Sequence, residues 1–199
     1  IIGVSAVIIL VSVGSGLRAM VAGQFAGIGA NLLMVVPGRV SGSNISSFVS
    51  LTNQGKFKED DLKLLASVDG VQAVTADLDE FVPARFRDET MTALVGGASA
   101  DFLSVYNWGM GEGRFFSKAE LGAGKKVVVI GTKVKKELFK AVDPLGQSLI
   151  VGSDRYKVVG VLSAKGGFGQ FDWDRTVYMP LSSAQRFFGR DKLDSLYLK

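Results

Sequence analysis

The sequence predicts an α+β fold. A split βαβ, ferredoxin-like subdomain carries an inserted, smaller β-rich subdomain and is preceded by a transmembrane and stalk helix. Three observations predict it. The first 17 residues are uncharged and largely apolar. All acids, and all bases but Arg18 and Arg39, lie beyond Gly55. After the opening segment, with a β-rich middle set aside, the elements read strand, helix, strand, strand, helix, strand.

The chain opens Ile1-Ile2-Gly3-Val4-Ser5-Ala6-Val7-Ile8-Ile9-Leu10-Val11, and its 17 uncharged residues before Arg18 fall just short of the ~20 that cross a bilayer. No basic region precedes it, so it reads as the later part of a membrane span. A signal-peptide core is the rival, since such cores need fewer apolar residues. A buried core helix fits poorly with so many β-branched residues and no polar face. Residues 17–33 continue without proline, with Leu17, Met20, Val21, Phe25, Ile28 and Leu32 at helical spacing, as an amphipathic stalk would. Gly23 and Gly27 form a small-xxx-small pair, which is common by chance.

Leu32-Leu33-Met34-Val35-Val36, stopped by Pro37-Gly38, predicts a buried strand, and the Ser/Gly/Asn-rich residues 38–55 a loop. Within that loop Asn44-Ile45-Ser46 is a formal glycosylation sequon of little weight. Glu59-Asp60-Asp61 opens a helix through Leu62, Leu65 and Val68, its acids complementing the helix dipole, and Asp69-Gly70 ends it. Residues 71–82 predict one strand and, after Pro83, residues 85–96 another. Residues 101–106 predict a short helix, and 107–116 are glycine-rich and aromatic.

Residues 125–130 predict a strongly apolar strand, 133–139 a short basic helix, and 148–151 and 156–162 two further strands. Gly166-Gly167-Phe168-Gly169 reads as a flexible loop. Strand 176–179, helix 181–188 after Pro180, and strand 193–198 complete the chain. The expected divisions are 1–30 for the span and stalk, 31–98 with 175–199 for the split βαβ part, and 99–174 for the insertion.

Composition removes several function classes. The chain has no cysteine and no histidine, so disulfides, thiolate metal sites, usual zinc sites and Ser-His or Cys-His catalysis lose their members. The net charge of +4 comes from bases interspersed with acids, as at Lys56, Lys58, Glu59, Asp60 and Asp61. A solvated mixed surface fits this better than a nucleic-acid interface.

The glycine clusters fail as nucleotide sites. Gly122-Ala123-Gly124-Lys125-Lys126 lacks a glycine at Ala119 and precedes a strand, where a phosphate loop follows one and opens a helix. Gly109-x-Gly111-x-Gly113 has the wrong spacing for a dinucleotide fingerprint. Asp77, Asp79 and Glu80, and Asp172 with Asp174 around Trp173, could hold calcium or act as acid/base pairs. Solvent-facing acids at a strand edge are the better reading. A Ser-x-x-Lys nucleophile is absent. Phe168, Phe171 and Trp173 are either a ligand-contacting patch or local packing.

The order of short motifs resembles the MacB-type (FtsX-like) permease subunits of ABC transporters. The match runs from Gly29-x-Asn31-Leu32-Leu33-x-Val35-x-Pro37-Gly38 through Gly70-Val71, Val95-Gly96 and Gly113-Arg114-Phe115-Phe116. It continues through Val127-Val128-Val129-Ile130-Gly131, Leu138-Phe139, Asp143-Pro144-Leu145-Gly146, Val158-Val159-Gly160-Val161 and Tyr178-Met179-Pro180-Leu181. Arg175 departs from the pattern, standing where such sequences tend to carry an acid.

The resemblance implies a two-part periplasmic domain, one part similar to the porter modules of drug pumps, on a protein of the bacterial inner membrane. Its motif positions (Gly29, Asn31, Pro37, Gly38, Gly113, Arg114, Phe115, Phe116, Asp143, Pro144, Gly146, Gly160 and Pro180) would be structural. No catalytic, metal or cofactor site is expected in this chain. ATP and magnesium would belong to a cytoplasmic ABC ATPase.

The implied partners are the membrane, a second permease copy or pair, that ATPase, a periplasmic adaptor and an outer-membrane channel, with no nucleic acid. The implied mechanism is mechanical, a stalk relaying ATP-driven motion to export or extract a substrate. An FtsX-like regulatory subunit acting on a cell-wall hydrolase or lipoprotein release is the alternative within that class. A secreted or membrane-anchored binding module is the alternative outside it. Cargo is not readable from fold.

Overall fold

The computed structural model describes residues 32–37, 57–168 and 171–199. The expected span and stalk, the loop over 38–55, and Gly29, Asn31 and Gly38 lie outside the described residues. Among the described residues no helix is long and apolar enough to cross a membrane.

A three-stranded antiparallel sheet holds β1 (Leu33–Val35), β12 (Ser195–Leu198) and β2 (Val74–Asp77), with β12 in the centre. Leu33 faces Leu198 and Val35 faces Leu196 on one side, while Leu198 faces Val74 and Ser195 faces Asp77 on the other. Helix α1 (Glu59–Ala66) packs Leu62 and Leu65 against this sheet's core. Its first-turn Asp61 carboxylate accepts the Lys58 N–H at 2.7 Å, which satisfies one donor left free at a helix start.

The second sheet has seven strands in the order β5-β8-β6-β11-β4-β3-β7, with β7 also paired to β8. It comprises β3 (Asp79–Phe86), β4 (Glu89–Ala98), β5 (Met110–Gly113), β6 (Val127–Ile130), β7 (Ser148–Val151), β8 (Asp154–Leu162) and β11 (Thr176–Pro180). Six of these strands therefore close a ring, β3-β4-β11-β6-β8-β7, and β5 lies along the last stretch of β8. Closure removes the open sheet edge that β7 would otherwise present.

The ring is filled from alternate positions of each strand: Ala84 and Phe86, Met91, Ala93 and Val95, Val128 and Ile130, Leu149 and Val151, Tyr156 and Val158, and Val177 and Met179. A short helix α4 (Thr132–Val134) runs into a π-helical turn over Lys135–Phe139 that adds Val134, Leu138 and Phe139 to the same core. Phe139 stacks on Phe86 at 4.2 Å between centroids. β6 is buried on both faces, so Val127 and Val129 enter a second, aromatic-rich core outside the ring. There they meet Phe102 of α2 (Phe102–Val105), Tyr106, Trp108, Phe116 and Tyr178.

Several expectations are corrected. The single strand over 71–82 is two strands, because buried Leu78 turns the chain out of the small sheet: Asp77 still pairs with β12, whereas Asp79 already pairs with Gly96 of β4. In consequence β3 and β4 belong to the ring, and the four strands of the split βαβ unit do not share one sheet. Strand pairing also crosses the limits at 98/99 and 174/175, since β3, β4 and β11 are ring members.

Pro83 does not separate strands but sits inside β3. Its carbonyl accepts the Gly152 N–H just beyond the end of β7, so its own missing N–H points where no strand needs it. The loop at 166–169 contributes to a small hairpin of β9 (Gly167–Phe168) and β10 (Phe171–Asp172).

Glycine governs where β5 meets β8. Gly113 and Gly160 are directly opposed, and a Cβ on Gly160 would lie 2.3 Å from the Arg114 carbonyl oxygen and 2.5 Å from Met110 Cε. The carbonyl contact involves backbone, which a rotamer change cannot relieve. Gly160→Ala is expected to lower stability by about 2 kcal/mol or more. Gly122→Ala, in helix α3 (Lys118–Ala123) with nothing near its Cβ position, is expected to raise it by about 0.5–1 kcal/mol. Thermal unfolding of the two variants beside the parent checks both signs.

Candidate functional site

The described polar and aromatic groups concentrate where the small sheet meets the ring. β2 ends at Asp77 and β3 starts at Asp79, and the segment leading into β12 brings Asp194, whose N–H donates to the Asp77 carbonyl at 2.9 Å. Tyr106, just after α2, donates its hydroxyl to both carboxylate oxygens of Asp77, at 2.8 and 2.9 Å. Tyr197 of β12 packs its ring 5.3 Å from that of Tyr106, and Tyr178 of β11 lies 4.4 Å from Phe102 between ring centroids. Arg190 completes the group. It pairs with Glu80 at 2.7 Å and reaches Asp194 at 3.5 Å.

Burial pushes the Asp77 carboxyl well above the usual range, and Asp79 beside it pushes in the same direction, against the Tyr106 and Tyr197 hydroxyls. Asp79 is also raised, first by burial and then by Asp194, with Arg190 opposing. Burial raises the Tyr106 and Tyr178 hydroxyls too, so these groups favour their neutral forms.

On the other side of Tyr106 the chain after β8 brings Lys165 into an aromatic enclosure. Its ammonium lies 5.1 Å from the Trp108 ring, 5.8 Å from Tyr106 and 6.0 Å from Trp173, and it donates to the Tyr106 carbonyl. Burial pushes this amine down to about 8. The buried Asp174 carboxylate accepts the N–H groups of Lys165 and Gly166 at 2.9 and 3.2 Å, fixing the loop that carries the lysine.

The motif positions fall elsewhere, at turns and close approaches. Gly113 (φ +66°) lets β5 pack closely along β8, and Arg114 forms a two-toothed ion pair with Glu120 at 2.7 and 2.8 Å. That pair holds the Glu120 carboxyl down to about 2. Glu120 also accepts the Ser117 N–H while Ser117 Oγ accepts the Glu120 N–H, closing the start of α3. Phe115 and Phe116 pack in the aromatic core. Asp143 accepts the Leu145 N–H at 2.9 Å, Pro144 is buried, and Gly146 takes φ +79° in the turn before β7. Pro37 is buried after β1, and Pro180 joins β11 to α5 (Leu181–Phe188).

Gly124 ends α3 in the left-handed region ahead of β6, so the glycine-lysine run caps a helix instead of opening one. Asp172 pairs with Lys133 at 2.6 Å, and Arg175 holds Glu137 through two contacts of 2.7 and 2.6 Å. Trp173 is local packing against Tyr106 and Trp108, while the side chains of Phe168 and Phe171 lie outside the described residues.

The expectation of solvent-facing acids is overturned at Asp77, which lies under Tyr106, and at Asp174, which is buried beneath the N–H groups of Lys165 and Gly166. Tyr106, Asp194, Tyr197 and Lys165 carry no motif signal, since only long-range folding unites them. Among the described residues no group of carboxylates is arranged to hold a metal ion. The arrangement offers protonation and packing.

The family described as the MacB-like periplasmic core domain matches residues 1–199. The chain is 33% identical over 192 residues to the pyoverdine export ATP-binding/permease protein PvdT of Pseudomonas entomophila, covering 95% of this chain and 28% of that protein. It is 30% identical over 200 residues to YknZ of Bacillus subtilis, an uncharacterized ABC transporter permease, covering all of this chain and 49% of YknZ. The chain thus spans half or less of these relatives.

In fold it is similar to the periplasmic region of MacB from Actinobacillus actinomycetemcomitans, with a TM-score of 0.73 at 22% identity over 87% of this chain and 76% of that one. It is also similar to the extracellular domain of the ABC-type transporter YknZ from Gram-positive bacteria, with a TM-score of 0.68 at 23% identity over 85% and 83%.

Below about pH 4 both folded and unfolded chains carry a protonated Asp77. As pH rises, the unfolded chain releases that proton first, because the folded pKa is raised, so this group's stabilising contribution is lost with increasing pH. Asp77→Asn keeps an acceptor for Tyr106 without the charge. It is expected to gain about 1 kcal/mol over the parent at pH 8 and little at pH 4, read as the difference in unfolding temperature across that range.

Proposed function

The chain belongs to the MacB-like periplasmic core domain family, and from that premise we propose that it is the extracytoplasmic domain of an ABC transporter permease that couples cytoplasmic ATP hydrolysis mechanically to export. The observation that carries the mechanical part is the pairing of Leu33 with Leu198. The strand that follows the 1–30 segment and the last strand of the chain lie side by side, and their outer ends coincide. A displacement delivered through either connection acts on one end of one small sheet. That sheet shares its buried core with the ring, through Ala76, Leu78, Leu193 and Leu196.

In this reading residues 1–30 are the end of a membrane span and a stalk in the bacterial inner membrane. The small sheet receives the motion, and the ring presents surfaces to partners. A second permease copy, a cytoplasmic ATPase carrying ATP and magnesium, and a periplasmic adaptor with an outer-membrane channel complete the assembly. Export is the direction for which PvdT is named, and we carry that direction, without its cargo, to this chain. No residue of this chain performs chemistry.

A flexible Gly-Ser insert near Gly23 of the full permease tests the relay. A helix transmits displacement along its axis, whereas a Gly/Ser coil absorbs it as conformational freedom. The insert is expected to abolish export in cells while leaving expression, membrane insertion and ATP hydrolysis of the reconstituted complex in place. Undiminished export would reduce the segment to a tether.

A further inference from the structure

One wall of the ring carries a row of cations that the fold does not use. Arg85 of β3 stands opposite Ile150 of β7, and Ile150 stands opposite Arg155 of β8. Lys157, two residues further along β8, faces Ser148 of β7. Inward positions of these strands are the core residues Ala84, Phe86, Leu149, Val151, Tyr156 and Val158, so Arg85, Arg155 and Lys157 share the outer face, and all three are exposed.

Five other cations on or beside the ring are paired, Lys126 with Asp154, Lys133 with Asp172, Lys135 with Glu112, Lys140 with Glu89, and Arg175 with Glu137, whereas Arg87, over the Phe86 ring, stands apart from this row. Among the described residues no carboxylate comes within ion-pairing distance of Arg85, Arg155 or Lys157. The rest of the chain cannot supply one, because the first acid is Glu59 and residues 169–170 are Gly-Gln.

We propose that this face of β3, β7 and β8 docks an acidic segment of a partner protein. Arg155 and Lys157 lie about 6.6–6.8 Å apart along one strand, and Arg85 lies two strands away, at about 9.6 Å. An extended peptide with carboxylates at every second residue repeats the first spacing, and Ile150 between the two arginines offers an apolar contact at the centre. Lipid headgroups fit the charge but not the place. Arg85 lies six residues along β3 from Asp79, about 20 Å beyond the crossover out of the small sheet. That small sheet is the part connected to the membrane; this exclusion of lipid, unlike the charge row, rests on the proposed permease reading.

The test measures binding of the 199-residue chain to a short alternating Glu-Thr peptide, with Arg85, Arg155 and Lys157 all changed to Ser. Affinity is expected to fall about tenfold or more, as loss of several charge contacts implies. It should also weaken with added salt in the parent. The R85K/R155K variant, with Lys157 left in place, should retain binding, which separates charge from fold damage.

The same loss of net charge placed elsewhere, with Lys118, Lys136 and Lys192 changed to Ser, should leave affinity unchanged. Equal losses in the two Ser variants would overturn the proposal, as would absence of peptide binding. A parallel arm compares vesicles of phosphatidylcholine with and without phosphatidylglycerol. A phosphatidylglycerol-dependent gain that the 85/155/157 Ser variant removes, without peptide binding, would assign the face to lipid and overturn the protein partner. None of these readouts involves ATP or export, so they stand apart from the coupling test.

Discussion

The chain passes from the small sheet to the ring through a single residue. Leu78 is fully buried, its carbonyl accepts the Gly97 N–H at 3.0 Å, and its neighbours Asp77 and Asp79 belong to different sheets. Burying that leucine is worth roughly 1.5–3 kcal/mol. The geometric consequence is larger than the energy: with Leu78 fixed, β2 cannot shift along β12 without moving β3 along β4. Gly96 and Gly97 of β4 are the matching condition. A Cβ on Gly97 would lie 2.8 Å from Leu181 Cδ1 and 2.9 Å from Ala184 Cβ, so α5 seats directly on the strand opposite the crossover.

The Asp77–Tyr106 contact follows from the same crossover. Ending β2 at Asp77 turns its carboxylate beneath the tyrosine that follows α2, and the aromatic core then extends through Trp108 and Trp173 to Lys165. A carboxyl kept largely neutral there donates or accepts hydrogen bonds without the cost of a buried charge. The small sheet, the ring and the aromatic core therefore meet at one place. Force applied at the Leu33–Leu198 end has a packed route to it through β2 and β12.

Local chemistry was legible in the sequence. The acids at 59–61 mark the start of α1, the apolar run at 127–130 is a strand buried on both faces, and Pro180 introduces α5. The turn at Asp143–Gly146 and the close approach at Gly113 and Gly160 sit on resemblance motifs. What stayed hidden was non-local. Residues 74–79 alternate in polarity without interruption, so nothing local announces the change of sheet at Leu78. Closure by β3–β7 and β7–β8 pairing joins distant segments, and Pro83 resembles a strand break until its place just beyond the end of β7 is known. Asp77 appears solvent-facing until Tyr106, 29 residues away, is placed over it. The cation row likewise depends on register, since Arg85 and Arg155 are 70 positions apart in number and two strands apart in space.

Mechanical transmission requires the small sheet and the ring to open as one body. Native-state hydrogen exchange tests this directly through three amides: Asp194, donating to Asp77 at the sheet; Gly97, donating to Leu78 at the crossover; and Gly131, donating to Thr176 in the ring. The account predicts one shared opening free energy for all three, and one shared response to denaturant. Exchange of Asp194 through a separate opening, several kcal/mol cheaper than that of Gly131, would show a sheet that yields independently of the ring and would contradict it.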